Sequence, residues 1–181
     1  MFKKLSVIAL LSLSTLAGGL SVAGAAETAP PPPPELKKTV DAFAGKWAYD
    51  TTVTMPGGKP VKTKLAVDCR KTALGKATTC HWSGNIPGDG PFEGTAVVGY
   101  DTFGKAVHFM GIFSDEEVHD HKCTWKGNTL ACELLKGGMG GGPITEDLTF
   151  TFEGNTSSFN SVCTFADGGK ATFEGKATRS K

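Results

Sequence analysis

The stretch His119–Leu134, HDHKCTWKGNTLACEL, decides the fold. Gly127-Asn128 inside it is a two-residue hairpin turn, because glycine takes the left-handed conformation that such a turn demands. Folding the chain about that dipeptide pairs Lys126 with Thr129, Trp125 with Leu130, Thr124 with Ala131 and Cys123 with Cys132. The two cysteines then meet at a non-hydrogen-bonded pair, where Cα atoms approach to about 4.5 Å, within disulfide range. Cys69 and Cys80 are symmetric about the point between Leu74 and Gly75. Two such coincidences predict hairpin disulfides Cys69–Cys80 and Cys123–Cys132, and leave Cys163 as a buried thiol.

Outward from this hairpin the same punctuation continues. With 24 glycines in 181 residues, the chain is rich in tight turns. Short alternating runs predict ten strands, at 46–55, 61–71, 76–83, 92–100, 105–113, 117–126, 129–136, 144–153, 158–165 and 170–179. The connections are too short for parallel crossovers, so sequential strands pair antiparallel. Before them, Leu36, Val40 and Phe43 recur at helical spacing, which predicts one short helix over Glu35–Ala44, ended by Gly45.

Alternation assigns the faces. Ile144, Glu146, Leu148, Phe150 and Phe152 share one side of their strand; Val61, Leu65, Val67 and Cys69 share one side of theirs; Phe159, Cys163 and Phe165 do likewise. One apolar and one wet face belongs to an antiparallel sheet curled on itself. Ten strands in meander order leave open edges unless the sheet closes, so the expectation is an all-β, ten-stranded, antiparallel up-and-down barrel, with a two-sheet sandwich as the alternative. Such a barrel is wider than its own side chains need to fill it.

The register set by Cys123 and Trp125 turns Glu117, His119 and His121 inward, with Val118, Asp120, Lys122 and Thr124 outward. His81 falls on the outer face; alternation leaves His108 undecided. Two histidines at i and i+2 on one strand face can share a divalent metal, with Glu117 as a third ligand. The alternative is that His119 and His121 are satisfied by water or Glu146 at the barrel mouth. No Gly-x-Ser-x-Gly elbow is present, and Gly137–Gly142 lacks the following helix and Lys-Ser/Thr of a phosphate loop, which leaves it a hairpin loop or a lid. No motif marks an enzyme or names a cofactor.

The ends of the chain speak to the compartment. Lys3 and Lys4, the apolar run Leu5–Leu16 and the small residues Ala23–Ala26 have the layout of a secretory signal peptide, so residues 1–26 are expected to be removed. The apolar run is shorter than the roughly 20 residues a membrane span needs, so no span is expected after cleavage. Residues 27–35, with five consecutive prolines at Pro30–Pro34, read as an extended spacer, and 36–181 as the barrel domain. Of 19 basic and 18 acidic residues, cleavage removes two lysines, and the near-neutral remainder has no bias toward nucleic acid. A periplasmic or secreted protein is expected.

Gly45-Lys46-Trp47, opening the first strand after a short helix, resembles the start of calycin, or lipocalin-like, barrels. The fuller run DAFAGKWAYDTTVTMPGGKPVKTK (41–64), followed by PFEGTAVVGYDTFGKAV (91–107) with its Gly99-Tyr100-Asp101 turn, resembles the domain of unknown function 1579 family over about residues 36–179. The resemblance implies a lipocalin-like barrel with Trp47 plugging one end and Arg179 packed on it; it implies no activity. The neighbouring nitrobindin-like barrels hold haem through a histidine near the chain end. No histidine follows His121 here, so haem binding does not carry over.

The expected function is therefore non-enzymatic binding of a small apolar or amphipathic ligand, with Trp47, Tyr49, Trp82, Tyr100, His119, His121, Trp125, Glu146, Phe150 and Phe152 as candidate contacts. Metal binding by His119 and His121, and a filled barrel serving as a cell-envelope interaction module, are the alternatives. Ligand identity and oligomeric state are not written in the sequence.

Overall fold

The computed structural model of the chain describes residues 32–86, 88, 90–114 and 118–180. The expected signal segment, the first two prolines of the run (Pro30 and Pro31) and Glu117 lie outside the described residues. Helix α1 spans Pro34–Phe43. It starts inside the expected spacer because Pro34 takes the first helical turn, where the absent N–H would have had no partner anyway. Its buried stripe is Leu36, Thr39, Val40 and Phe43.

Ten long strands follow: β1 (Gly45–Thr54), β2 (Val61–Thr72), β3 (Ala77–Ile86), β4 (Gly90–Asp101), β5 (Ala106–Phe113), β6 (Val118–Lys126), β7 (Thr129–Lys136), then, after the two-residue β8 (Gly138–Met139), β9 (Gly142–Glu153), β10 (Thr156–Phe165) and β11 (Lys170–Ser180). Each long strand pairs antiparallel with the next, and β1 pairs with β11, so the sheet closes on itself. Closure removes the sandwich alternative along with the open edges.

The hairpin arithmetic holds residue by residue. Lys126 faces Thr129, Trp125 faces Leu130 and Cys123 faces Cys132. Both disulfides are present, with Cα atoms 3.9 Å apart at Cys69–Cys80 and 4.0 Å apart at Cys123–Cys132. Cys163 is a buried thiol outside both bridges.

Three connections differ from expectation. β3 and β4 run on to the Ile86–Gly90 pair, so most of the supposed loop 84–91 is ladder. β9 and β10 turn tightly at Gly154-Asn155, Glu153 facing Thr156, because Gly154 adopts φ +60°. Within the Gly-rich segment, Gly138 and Met139 pair with Pro143 and Gly142 as a small hairpin. A bulge between Asp120 and His121 makes Leu135 the extra residue of β7 and leaves it exposed.

The barrel has two unlike ends. At one, α1 sets Phe43 against Phe150 and Phe152, with ring centroids 5.2 and 5.0 Å apart. Trp47 Nε1 donates to the Phe43 carbonyl at 2.8 Å, and Trp125 Nε1 donates to Thr39 Oγ1 at 2.9 Å. The Arg179 guanidinium lies 4.5 Å from the Trp47 ring centre and donates to the carbonyls of Asp41 and Ala42 at 3.2 and 2.9 Å. This end is plugged, as the family resemblance implies. The middle is packed by Leu65, Val67, Val98, Phe109, Leu130 and Leu148. Each such buried side chain contributes roughly 1.5–3 kcal/mol relative to exposure.

Candidate functional site

The end away from the helix is hollow. A cavity of about 440 Å³ enters between the β1–β2, β3–β4 and β10–β11 turns and the β8 hairpin. Its walls include Leu65, Trp82, Phe92, Phe109, Phe113 and Phe150. Two glycines seat the Phe113 ring at its mouth: a Cβ at Gly94 would lie 2.1 Å from ring atom Cδ1, and one at Gly111 2.5 Å from Cε2. The freed ring stacks on Phe92 and meets His119 edge-on, with centroids 5.5 and 5.8 Å away. A broader concavity of about 980 Å³ lies on the outer wall among Asp50, Lys62, Lys64, Asn160 and Glu174. It is open, and Lys64 pairs there with Asp50, 3.1 Å apart.

One polar cluster interrupts the apolar interior. β6 sends His119 and His121 inward at 6 % and 1 % exposure, and β9 sends Glu146 to meet them. Glu146 Oε2 lies 3.1 Å from His119 Nδ1 and 2.8 Å from His121 Nε2, while its Oε1 accepts from Ser161 Oγ at 2.6 Å. His119 Nε2 addresses the Gly138 carbonyl at 2.9 Å, which ties the small β8 hairpin to the cluster. Burial alone would push the Glu146 carboxyl up. The hydrogen bonds from His119 and His121, the charge of His121 and the Ser161 hydroxyl outweigh it and hold the carboxyl well below the usual carboxylate range.

The expected contacts therefore divide. Trp82, His119, His121, Glu146 and Phe150 line the cavity. Trp47, Trp125 and Phe152 sit in the plug under α1 instead. Tyr49 is buried behind Trp82, stacked on it at 5.9 Å, with its hydroxyl bonded to Ser157. Tyr100 packs half-buried on the core and is not on the cavity wall. All these side chains do point inward, but the helix fills one end, so only the residues at the far end meet empty space. His108 proves to face outward, 3.1 Å from Asp120, and His81 lies outside beside Glu93.

Sequence reasoning brought Glu146 inward but gave the third-ligand role to Glu117, which lies outside the described residues. It missed Ser161, although Phe159 and Cys163 on the same strand face already implied that position. Gly138 could not be foreseen, because its contribution is a backbone carbonyl.

The family described as Protein of unknown function (DUF1579) matches residues 33–180. The chain belongs to this family. No relative is found among curated proteins. Among solved structures, the crystal structure of Rv2717c from M. tuberculosis superposes with a TM-score of 0.64 at 14% identity, covering 82% of this chain and 99% of that one. The S-type phycobiliprotein lyase CPES from Guillardia theta superposes with a TM-score of 0.57 at 11% identity, covering 78% and 90%. At these identities the likeness concerns the fold. No helix among the described residues is long and apolar enough to cross a membrane.

Proposed function

We propose that this protein is a non-enzymatic carrier or sensor that holds a small amphipathic molecule inside its barrel. The observation that carries this is the hollow end: about 440 Å³ of space, walled largely by aromatic and aliphatic side chains, with one hydrogen-bonding cluster facing into it. That volume falls in the range of small-molecule sites, and such sites pair an apolar body with a few fixed polar groups.

The cluster also says which polar end fits. Glu146 is already partnered by two imidazoles and a hydroxyl. A charged headgroup entering there would be desolvated without a free counter-charge, which is costly. An uncharged hydrogen-bonding end, such as an alcohol or amide, meets no such penalty. Trp82 Nε1, a buried donor with no hydrogen-bond partner among the described residues, belongs to the same wall.

Export belongs to the same proposal. The layout of residues 1–26 supports it, and so do two disulfides, since such bonds persist in oxidising compartments.

The test uses the neutral fluorophore N-phenyl-1-naphthylamine. Saturable fluorescence enhancement is expected, weakened about ten-fold or more by Ile86→Trp, which crowds the cavity mouth where Ile86 stands half-buried. Enhancement that ignores Ile86→Trp would place the dye on the outer surface and defeat the proposal.

A further inference from the structure

We propose that His119, His121 and Glu146 form a site for a divalent transition cation, zinc foremost, whose fourth coordination position faces the barrel cavity. The Gly138 carbonyl can only accept a hydrogen bond, so His119 Nε2, 2.9 Å away, carries a hydrogen. His119 Nδ1 then faces Glu146 Oε2 at 3.1 Å, lone pair to lone pair unless a positive centre lies between them. A second ring proton can fill that role. So can a metal ion, using the same two atoms and gaining His121 Nε2, which stands 2.8 Å from the same oxygen.

The dimensions fit. The three donors lie within 4.8 Å of one another on rigid strands. Tetrahedral zinc holds nitrogen and oxygen ligands at about 2.0–2.2 Å, which separates neighbouring donors by about 3.3 Å. The observed separations of 3.1 and 2.8 Å therefore need to open slightly, while the two imidazole nitrogens, no more than 4.8 Å apart, draw together on the ion. Imidazole and carboxylate together suit zinc and other first-row divalent ions better than calcium or magnesium, which prefer all-oxygen shells.

The outer contacts are those of a metal site as well. The Nε2–H of His119, donating to a backbone carbonyl, fixes the ring so that Nδ1 is the ligand. Ser161 Oγ occupies Oε1 and leaves Oε2 for the cation. All three ligands line the cavity, so three protein donors leave one position open to water or to the polar end of a bound molecule. This site concerns the cavity's polar wall and does not require that any organic ligand bind.

The experiment titrates metal-free protein with Co²⁺ and Zn²⁺ in the absence of organic ligand. One equivalent of Co²⁺ is expected to give the visible absorption of a four-coordinate nitrogen–oxygen site, and Zn²⁺ to displace it. Affinity is expected to fall at least about ten-fold in His119→Ala, His121→Ala and Glu146→Gln, and to stay unchanged in a His81→Ala/His108→Ala variant lacking the outer-face histidines. Absence of the absorption band in the wild type would overturn the site, and that reading needs no variant to fold. Binding lost in the outer-face variant but kept in the inner ones would overturn it equally. Either failure would leave fluorophore binding as a separate question.

Discussion

Tyr49 is 4 % exposed, and its hydroxyl meets Ser157 Oγ at 2.8 Å. Burial pushes its ionisation from about 10 up to about 12, with the Ser157 bond and the Arg179 charge pulling partly back. In the unfolded chain the phenol ionises near 10, so the neutral fold is favoured below that pH and loses this advantage as pH rises toward 12. A shift of that size corresponds to about 2–3 kcal/mol. Urea unfolding between pH 10 and 12 should show that decline in the wild type and a shallower one in Tyr49→Phe. Arg179 offers a second test. Removing its stack on Trp47 and its two bonds to the helix carbonyls in Arg179→Ala should destabilise the fold by about 2–4 kcal/mol, and lysine should rescue little, because it lacks the planar fork. In the sequence Tyr49 was legible as an interior contact, and Arg179 through the family resemblance as the partner of Trp47. Their different fates, one in the plug and one behind the cavity wall, were not, since alternation gives the side of a strand and not the depth along the barrel.

At the scale of the hairpin, the two disulfides close loops with sequence separations of 11 and 9. Chain-entropy arguments assign such loops about 2.5–3 kcal/mol each. Replacing Cys123 and Cys132 together by serine should lower unfolding stability by about that amount while leaving the β-sheet circular dichroism intact, because the Gly127-Asn128 turn sets the register independently. Thiol counting is sharper: denatured, unreduced protein should release one thiol, from Cys163, and native protein none. The turn readable in advance was Gly127-Asn128, where glycine takes φ +58°; the same dipeptide at Gly154-Asn155 turns just as tightly inside what was expected to be a longer connection. The Gly-rich segment after β7 was less legible. Its role depends on Gly137, where a Cβ would lie 2.9 Å from Leu134, and on the Gly138 carbonyl reaching His119, a tertiary contact that local composition does not encode.

Across the whole molecule, closure follows from many two-residue periods agreeing with one another, which is why the barrel could be read from the sequence. The hollow end could not, because it depends on where α1 stops filling the interior. The outer wall carries its own apolar stripe: Val97 faces Met110, Ile112 faces Val118, and all four are 38–64% exposed. A greasy probe therefore has two places to go, and the central claim is that it goes inside. The most direct test is chemical-shift mapping by NMR with 1-decanol as the probe. The account predicts saturable shifts gathered at Leu65, Phe92, Phe109, Phe113, His119 and Leu148, fading toward the plugged end at Trp47 and Trp125. Shifts confined to Val97, Met110, Ile112 and Val118, or no shifts at all, would contradict it.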